Sequence, residues 1–458
     1  MGASAVKVLV TSLDGVAWGR AVAGCPVSIP APGQVEANPK DWWTATRRAV
    51  HAALDDAGEP RPSVTGLAVA GQMHAVVLAD ECGAALRPAI LGLDQRATAE
   101  AALYREMPGD YTAPLRNGPA PGMAGPVLCW LATHEPHTLR HAWWALQPKD
   151  WLRLRLTGRA ATDPTDASGT LLFDLARGTW ADPLVDKLGL PRDKLPPVNR
   201  PAETAGHLRA GPAAELGLPR GIPVAVGAGD TAAGLYAAGV RPDEAMLTLG
   251  RGGQWVIPVP FLPDESRSAA PADPLASVSP AHATGLYRAV GDGYYRLAPV
   301  RSIGTTLDWV RQLLGASWQE LYDTASRPGQ PDTPRFDPGL PAEPWNPGTT
   351  GNWAGLRFAH QREDLMRSAL QGLADLLRQR LDDLRAGPVT IRTASSSAAA
   401  APAIPPGALS LRKPSACRSS LPPAARSPPR PAPRLPQPRA PGPPRLPGPG
   451  SPRPGPPG

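Results

Sequence analysis

The sequence predicts an α/β fold with two domains and an unstructured tail, and three observations carry that expectation. At 458 residues the chain is long enough to bury two substantial cores. Residues 221–239 run from the apolar stretch Ile222–Val226 through Gly227 and Gly229 into an Ala-rich segment that opens at Asp230. A short apolar run closed by glycines is the pattern of a buried parallel strand, and the Ala-rich segment reads as a helix with Asp230 in its first turn. From Ala394 onward the chain is dominated by Pro, Ala, Arg, Ser and Gly and has no aromatic residue. Such a composition buries too little apolar surface to offset chain entropy, so residues 394–458 are expected to be disordered.

The remaining elements come in order along the chain. Val6–Ser12 and Val16–Ala23, joined through Asp14-Gly15, predict a hairpin at the start. Asp41–Ala53 reads as a helix with Trp42, Val50 and Ala53 on one face. Val64–Ala70 and Ala75–Leu78 are short strands flanking Gly71-Gln72-Met73-His74, and Leu171–Leu175 is a further apolar run. Ala245–Leu249 reads as a strand entering Gly250-Arg251-Gly252-Gly253. Thr305–Leu314 and Asp364–Leu384 are helices, the second with Leu365, Ala369, Leu373, Leu376 and Leu377 on one face.

Charge and cysteine content exclude several classes. The net charge is +7, but ten Lys/Arg and no acidic residue lie from Ala386 onward, which leaves the preceding residues at −3. The basic signal belongs to the tail, so nucleic acid is not the expected partner of the folded part. No apolar run approaches a membrane span and no signal peptide opens the chain. Cys25, Cys82, Cys129 and Cys417 lack metal-like spacing and read as reduced thiols of a cytoplasmic protein.

Three segments carry chemistry. Asp230, at the end of a strand beside small residues, suits a proton acceptor near a bound phosphate; capping its helix is the equally ordinary alternative. His74 in the Gly71–His74 break is either a ligand or a satisfied loop histidine. Asp94 and Arg96, in Leu91-Gly92-Leu93-Asp94-Gln95-Arg96, suit a polyol, since one accepts and the other donates; a surface ion pair explains them as well.

Taken together these pieces resemble the FGGY carbohydrate kinases, and the Gln72-Met73-His74 segment resembles the xylulokinase branch. The likeness runs through Gly33–Glu36, Asp41-Trp42-Trp43, Gly71–His74, Arg87–Ile90, Asp94–Arg96, Gln147–Gly158, Thr162-Asp163, Asp166–Thr170 and Gly227–Gly234. It covers nearly all of residues 1–250, thins from 251 to 390 and stops there. The resemblance implies two actin-like domains of the ribonuclease-H type around a cleft: a sugar-binding domain over 1–240 and a partial ATP-binding domain over 241–393. It implies Asp230 as the catalytic base and Gln72, Met73, His74 and Asp94 as sugar-binding residues. Gly2, Ser4, Gly250, Arg251, Gly252 and Gly253 become the nucleotide-phosphate candidates, with ATP and Mg2+ required and no metal ligand assigned. The implied reaction moves the γ-phosphoryl group of ATP to a ketose, D-xylulose above others, or to another polyol or sugar acid. Sugar and ATP are the expected partners, with no nucleic acid or membrane, and homodimer formation is left open.

The chain departs from the family pattern in the ATP half. Met1–Lys7 reads as the first phosphate loop itself, so the preceding strand and its metal-associated aspartate are expected to be missing, and Ala3 stands where a threonine is usual. Arg251 interrupts the second glycine turn, where it either meets a phosphate or obstructs closure. Ser395-Ser396-Ser397 stand where the family continues into a glycine triplet. These departures predict an incomplete second domain with one sheet face uncovered, and reduced catalysis. The alternatives are a sugar-binding remnant without turnover and nucleic-acid binding through the tail, whose composition also matches out-of-frame translation.

Overall fold

The structure, a computed structural model, describes residues 1–250, 252–262, 284–300, 303–326, 332–338 and 351–385. Arg251, the segment 389–391 and the tail from 394 lie outside the described residues.

The opening hairpin forms as expected. Ala5–Thr11 and Ala17–Gly24 pair antiparallel, from Ala5 opposite Gly24 to Thr11 opposite Ala17. Helix Pro39–Asp56 packs on it, and its start is set chemically. The Asn38 side chain accepts the Lys40 amide at 3.0 Å, and Pro39 occupies the first position, where no N–H is needed. Trp42, Ala45, Ala49 and Ala53 form its buried stripe. Trp42 meets Trp151 edge-on, with ring centroids 6.1 Å apart, which joins this helix to helix Pro148–Thr157 in one core. Leucine and arginine alternate along 151–156 without a helical stripe. The segment is nonetheless helical, because nearly all of it is enclosed, Arg153 included.

The stretch before Asp230 departs from the sequence reading. Pro223–Ala225 pairs antiparallel with Thr204–His207, with a single parallel bridge from Val224 to Leu67 on its other side. The parallel pairing expected there lies beyond a kink, where Ala228–Gly229 runs beside Ala70–Gly71. Gly227 makes the kink: its φ is +85°, and a Cβ on it would stand 2.0 Å from the Val69 carbonyl oxygen. Gly227→Ala therefore combines left-handed strain with a backbone clash and is expected to cost about 2 kcal/mol or more. Thermal unfolding should show a Tm several degrees lower, and an unchanged Tm would contradict this account of the kink.

The strands expected over 64–70 and 75–78 are shorter than the apolar runs, because their partners are short. Ala70–Gly71 has the partner just described, and Val77–Ala79 pairs with Trp144–Leu146. In the second half, Met246–Leu249, Gly253–Val259, Tyr294–Val300 and Gly285–Arg288 form a four-stranded antiparallel sheet in that spatial order. Helices Ile303–Leu313, Trp318–Ala325 and Arg362–Arg385 come next, matching the expected helices to within two residues at each end of the first and last. The expected uncovered sheet face is corrected. Val256, Tyr287 and Tyr295 on one face pack with Ala232, Leu235 and Met73. Ile257 and Ala298 on the other meet Leu384, and the Trp255 indole N–H donates to the Leu377 carbonyl at 2.9 Å. The Arg362–Arg385 helix covers the face because Leu373, Leu377, Leu381 and Leu384 recur along one side.

Cys25, Cys82 and Cys129 are free thiols, and Cys417 is outside the described residues. No helix among the described residues is long and apolar enough to cross a membrane.

Candidate active site

Two adjacent parallel strands end side by side and set the site. Gly71 is opposite Gly229, so Gln72 and Asp230 leave the same sheet edge in register. Asp230 is the first residue of helix Asp230–Ala238, with Gly229 as its cap residue. Asp230 is exposed to solvent, yet the protein packed around it partly desolvates the carboxyl. That desolvation raises the carboxyl above the ordinary aspartate value, against the Thr231 amide, which favours the anion. The Thr231 hydroxyl lies 3.3 Å from Asp230 Oδ1 and accepts from Gln254 Nε2 at 3.0 Å, which ties the helix start to the second sheet.

Gln72 and Met73 are buried beside it. The Gln72 Nε2 amide is sealed from solvent without a hydrogen-bond partner among the described residues, an arrangement that costs free energy unless a ligand acceptor reaches it. A Cβ on Gly229 would stand 3.0 Å from Met73 Cγ, so the methionine lies directly against the residue preceding Asp230. His74 adopts φ +59°, an uncommon conformation for a side-chain-bearing residue, and its Nδ1 lies 2.8 Å from the Gly169 carbonyl oxygen. With that carbonyl as acceptor, Nδ1 carries the proton.

Gly169 is required by close approach. A Cβ there would come within 2.9 Å of both His74 Cε1 and Met73 Cε. Gly169→Ala should displace both side chains and, where they hold the sugar as the family resemblance implies, raise its KM several-fold with a smaller change in kcat. Equal KM in steady-state assays of the two proteins would remove Met73 and His74 from the sugar site.

Asp94 is fully buried, and its carboxylate is engaged by the protein. Oδ2 accepts the Val35 amide at 2.6 Å and Arg96 Nη2 at 2.8 Å, and Oδ1 accepts the Arg96 amide at 2.9 Å and Nε at 2.8 Å. Arg96 also pairs with Glu36 at 2.8 Å and lies over the Trp130 ring. The pair is therefore buried and not on the surface. It braces the 91–96 turn, whose Gly92 backs onto the His74 carbonyl, where a Cβ would come within 2.6 Å.

The nucleotide-phosphate candidates lie at the start of the chain and around the first turn of the second sheet. Gly2 donates its amide to the Ala5 carbonyl at 2.9 Å, Ser4 is exposed, and the Met1 carbonyl accepts the Gln72 amide at 2.8 Å. Gly250, Gly252 and Gly253 form the turn between the first two strands of the second sheet, with the Gly250 amide donating to the Gly252 carbonyl at 2.7 Å. Gln254, next in the chain, is the residue that reaches Thr231.

Two groups escaped sequence reasoning. The first is an aromatic wall from the second sheet. Tyr295 donates its hydroxyl to Met73 Sδ at 3.6 Å, Tyr287 stacks on Tyr295, and Tyr287 meets His74 edge-on. Burial pushes the Tyr287 hydroxyl up to about 12, so it stays protonated. Asn117 ties that wall to the site: its side chain accepts the Leu286 amide at 2.7 Å and donates to the Leu286 carbonyl at 2.9 Å and the Ser168 carbonyl at 3.0 Å.

The second is a buried ion cluster beneath Gly229. Lys149 Nζ lies 2.6 Å from Asp150, 2.7 Å from Asp163 and 3.1 Å from Asp166, all essentially without solvent exposure. Arg153 pairs with Asp150 at 2.9 Å and donates to the Val226 and Ala161 carbonyls. Burial drives the Asp166 carboxyl well above its usual value. Asp150, although burial opposes ionisation, is held low by Lys149 and Arg153. Lys149-Asp150 and Asp163 to Asp166 belong to segments that carry the family resemblance, but nothing local shows that they converge.

Comparison with known proteins fits this geometry. Residues 1–237 match the model of the FGGY family of carbohydrate kinases, N-terminal domain. The chain is 32% identical over 392 residues to the xylulose kinase of Escherichia coli K12, covering 84% of this chain and 78% of that protein. Among solved structures, a xyloylose kinase from Brucella ovis superposes with a TM-score of 0.73 at 29% identity, and the xylulose kinase from Rhodospirillum rubrum with 0.71 at 28%. Each superposition covers 84% of this chain and 78% of the other. The chain belongs to the FGGY family of carbohydrate kinases, has its actin-like α/β fold class, and is an ATP-dependent sugar kinase.

Proposed function

We propose that this kinase transfers the γ-phosphoryl group of ATP to the 5-hydroxyl of D-xylulose, giving D-xylulose 5-phosphate and ADP. The observation that supports the reading is the register of Gly71 and Gly229, from which Asp230 and the Gln72–His74 segment leave one sheet edge. The xylulose kinases similar to this chain supply the choice of sugar. Asp230 takes the proton of the attacking hydroxyl as its oxygen bonds to phosphorus and the bond to ADP breaks. Gln72 Nε2 donates to a sugar oxygen, and Met73 with Tyr287 and Tyr295 encloses the carbon chain. Positioning of this kind is the main task in phosphoryl transfer, which needs little covalent help from the protein.

Residues 1–240 form the sugar-binding part of this reading and 241–393 the nucleotide part, with Gly2, Ser4, Gly250, Gly252 and Gly253 on the turns that meet phosphate, the Gly2 and Gly250 amides being already donated to the Ala5 and Gly252 carbonyls. Arg251 and the tail over 394–458 add no described geometry. Among the described residues no group of three or more His, Cys, Asp or Glu is arranged to hold a metal. The residues therefore suit Mg2+ carried in on ATP, with Asp230 the carboxylate at hand; when bound, the ion neutralises phosphate charge. A cytoplasmic location accords with this substrate pair.

The test measures ADP release with D-xylulose, ATP and Mg2+. Turnover with D-xylulose that exceeds turnover with glycerol or gluconate supports the reading, and the reverse order overturns it. Because Asp230 must be ionised and burial raises its pKa, activity should fall on the acid side at a pH above the ordinary aspartate value of 3.8. A kcat/KM profile flat down to that value would exclude Asp230 as the base. The second reading, sugar binding without turnover, rests on Arg251 within the glycine turn. Calorimetry that detects sugar binding but no ATP binding would favour it.

A further inference from the structure

Gly229 is the cap residue of the Asp230 helix, yet no side chain of its own segment holds it. Its amide instead donates to Thr165 Oγ1 at 2.8 Å, across 64 residues of sequence. The same hydroxyl donates to Asp163 Oδ2 at 2.5 Å, an oxygen that also accepts the Thr165 amide at 2.8 Å. The other oxygen of Asp163 is 2.7 Å from Lys149 Nζ. Thr165 and Asp163 have no solvent exposure. On the far side of the kink, Arg153 of the same cluster grips the Val226 carbonyl at 2.6 Å. The strand segment that delivers Asp230 is thus held at both ends by one buried set of charges, and at the Gly229 end the Thr165 hydroxyl makes the connection.

We propose that Thr165 is a positioning residue for phosphoryl transfer: its hydroxyl passes the rigidity of the Lys149–Asp163 pair to the Gly229 amide and so fixes where the Asp230 carboxylate stands. The inference rests on the reading of Asp230 as the base. A hydroxyl is suited to the place because it accepts from an amide and donates to a carboxylate at once. Valine has the same shape and does neither. An amide left unpaired in a buried site pulls the backbone toward any other acceptor, and Gly229 is where that shift reaches Asp230. A displacement near 1 Å at the reacting group is enough to lower the rate about a hundredfold.

The experiment compares wild type, Thr165→Val and Thr165→Ser by steady-state kinetics with D-xylulose and by crystallography of each protein. Thr165→Val is expected to lower kcat by about 10- to 100-fold, with KM for the sugar within about threefold, and to displace the Asp230 carboxylate. Thr165→Ser, which keeps the hydroxyl, should restore kcat to within about threefold and the carboxylate to its place. A folded Thr165→Val with wild-type kcat, or a Thr165→Ser as slow as Thr165→Val, overturns the proposal. Should Thr165→Val fail to melt cooperatively, Thr165→Cys, similar in size with a weakly bonding thiol, takes its place with the same expectations. If wild type phosphorylates no sugar, the proposed activity fails, while the crystallographic position of Asp230 across the variants still decides the role of Thr165.

Discussion

Asp230→Asn is expected to lower kcat by about 10²- to 10⁴-fold without unfolding the protein. Asparagine keeps the shape and the hydrogen-bonding oxygen but cannot take a proton. The loss should therefore fall on kcat, with KM for the sugar little altered, because Gln72, Met73 and His74 are untouched. The effect on stability has the opposite sign. Folding raises the pKa of this carboxyl, so the unfolded chain ionises first as pH increases past 3.8, and the folded state loses stability until it ionises too. At neutral pH the charge is a standing cost, and removing it should leave Tm unchanged or higher. An inactive variant that melts no earlier than wild type marks a group kept for chemistry. A variant retaining most of its kcat would exclude Asp230 from the reaction.

Lys149→Met should have the largest effect on stability. The substitution keeps the volume but leaves Asp150, Asp163 and Asp166 facing one another in a site closed to solvent, with Arg153 as the remaining cation. Removing one partner of a buried ion pair typically costs about 3–5 kcal/mol, since the survivors stay desolvated. For a domain of this size that corresponds to a fall in Tm of roughly 10 °C. Acid should partly rescue the variant. Lys149 is a leading cause of the low pKa of Asp150, so without it the carboxyls of the cluster take up protons more readily in the folded state. The Tm difference between variant and wild type should therefore shrink as pH falls from 7 toward 5. A Lys149→Met protein with wild-type Tm would show that the cluster contributes nothing net.

Much of the architecture was legible because it is written locally. The opening hairpin, the Pro39–Asp56 helix and the long Arg362–Arg385 helix arise from periodicity and from the turn and capping residues beside them. Pairing partners are a different matter. That Val224 faces His207's strand on one side and Leu67 on the other depends on residues far apart in sequence, and no local pattern reports it. The family resemblance pointed to Asp230, Gln72, Met73 and His74, whose segments leave one sheet edge in register. It could not show that Asp94 spends its carboxylate on Val35 and Arg96, or that two tyrosines from the second sheet close over Met73. Arg153 carries no local sign of its place inside. An arginine between leucines ordinarily faces water, and only the carbonyls of Val226 and Ala161 with Asp150 make it at home in the core.

The threefold grip of Asn117 has a mechanical outcome. One amide side chain fastens both backbone groups of Leu286 and the carbonyl of Ser168, whose neighbour Gly169 holds the imidazole of His74. Strand Gly285–Arg288 cannot slide without breaking those fastenings or dragging the histidine with it. A push delivered to the second sheet is thereby felt at the first, through a linkage three joints long and with no slack.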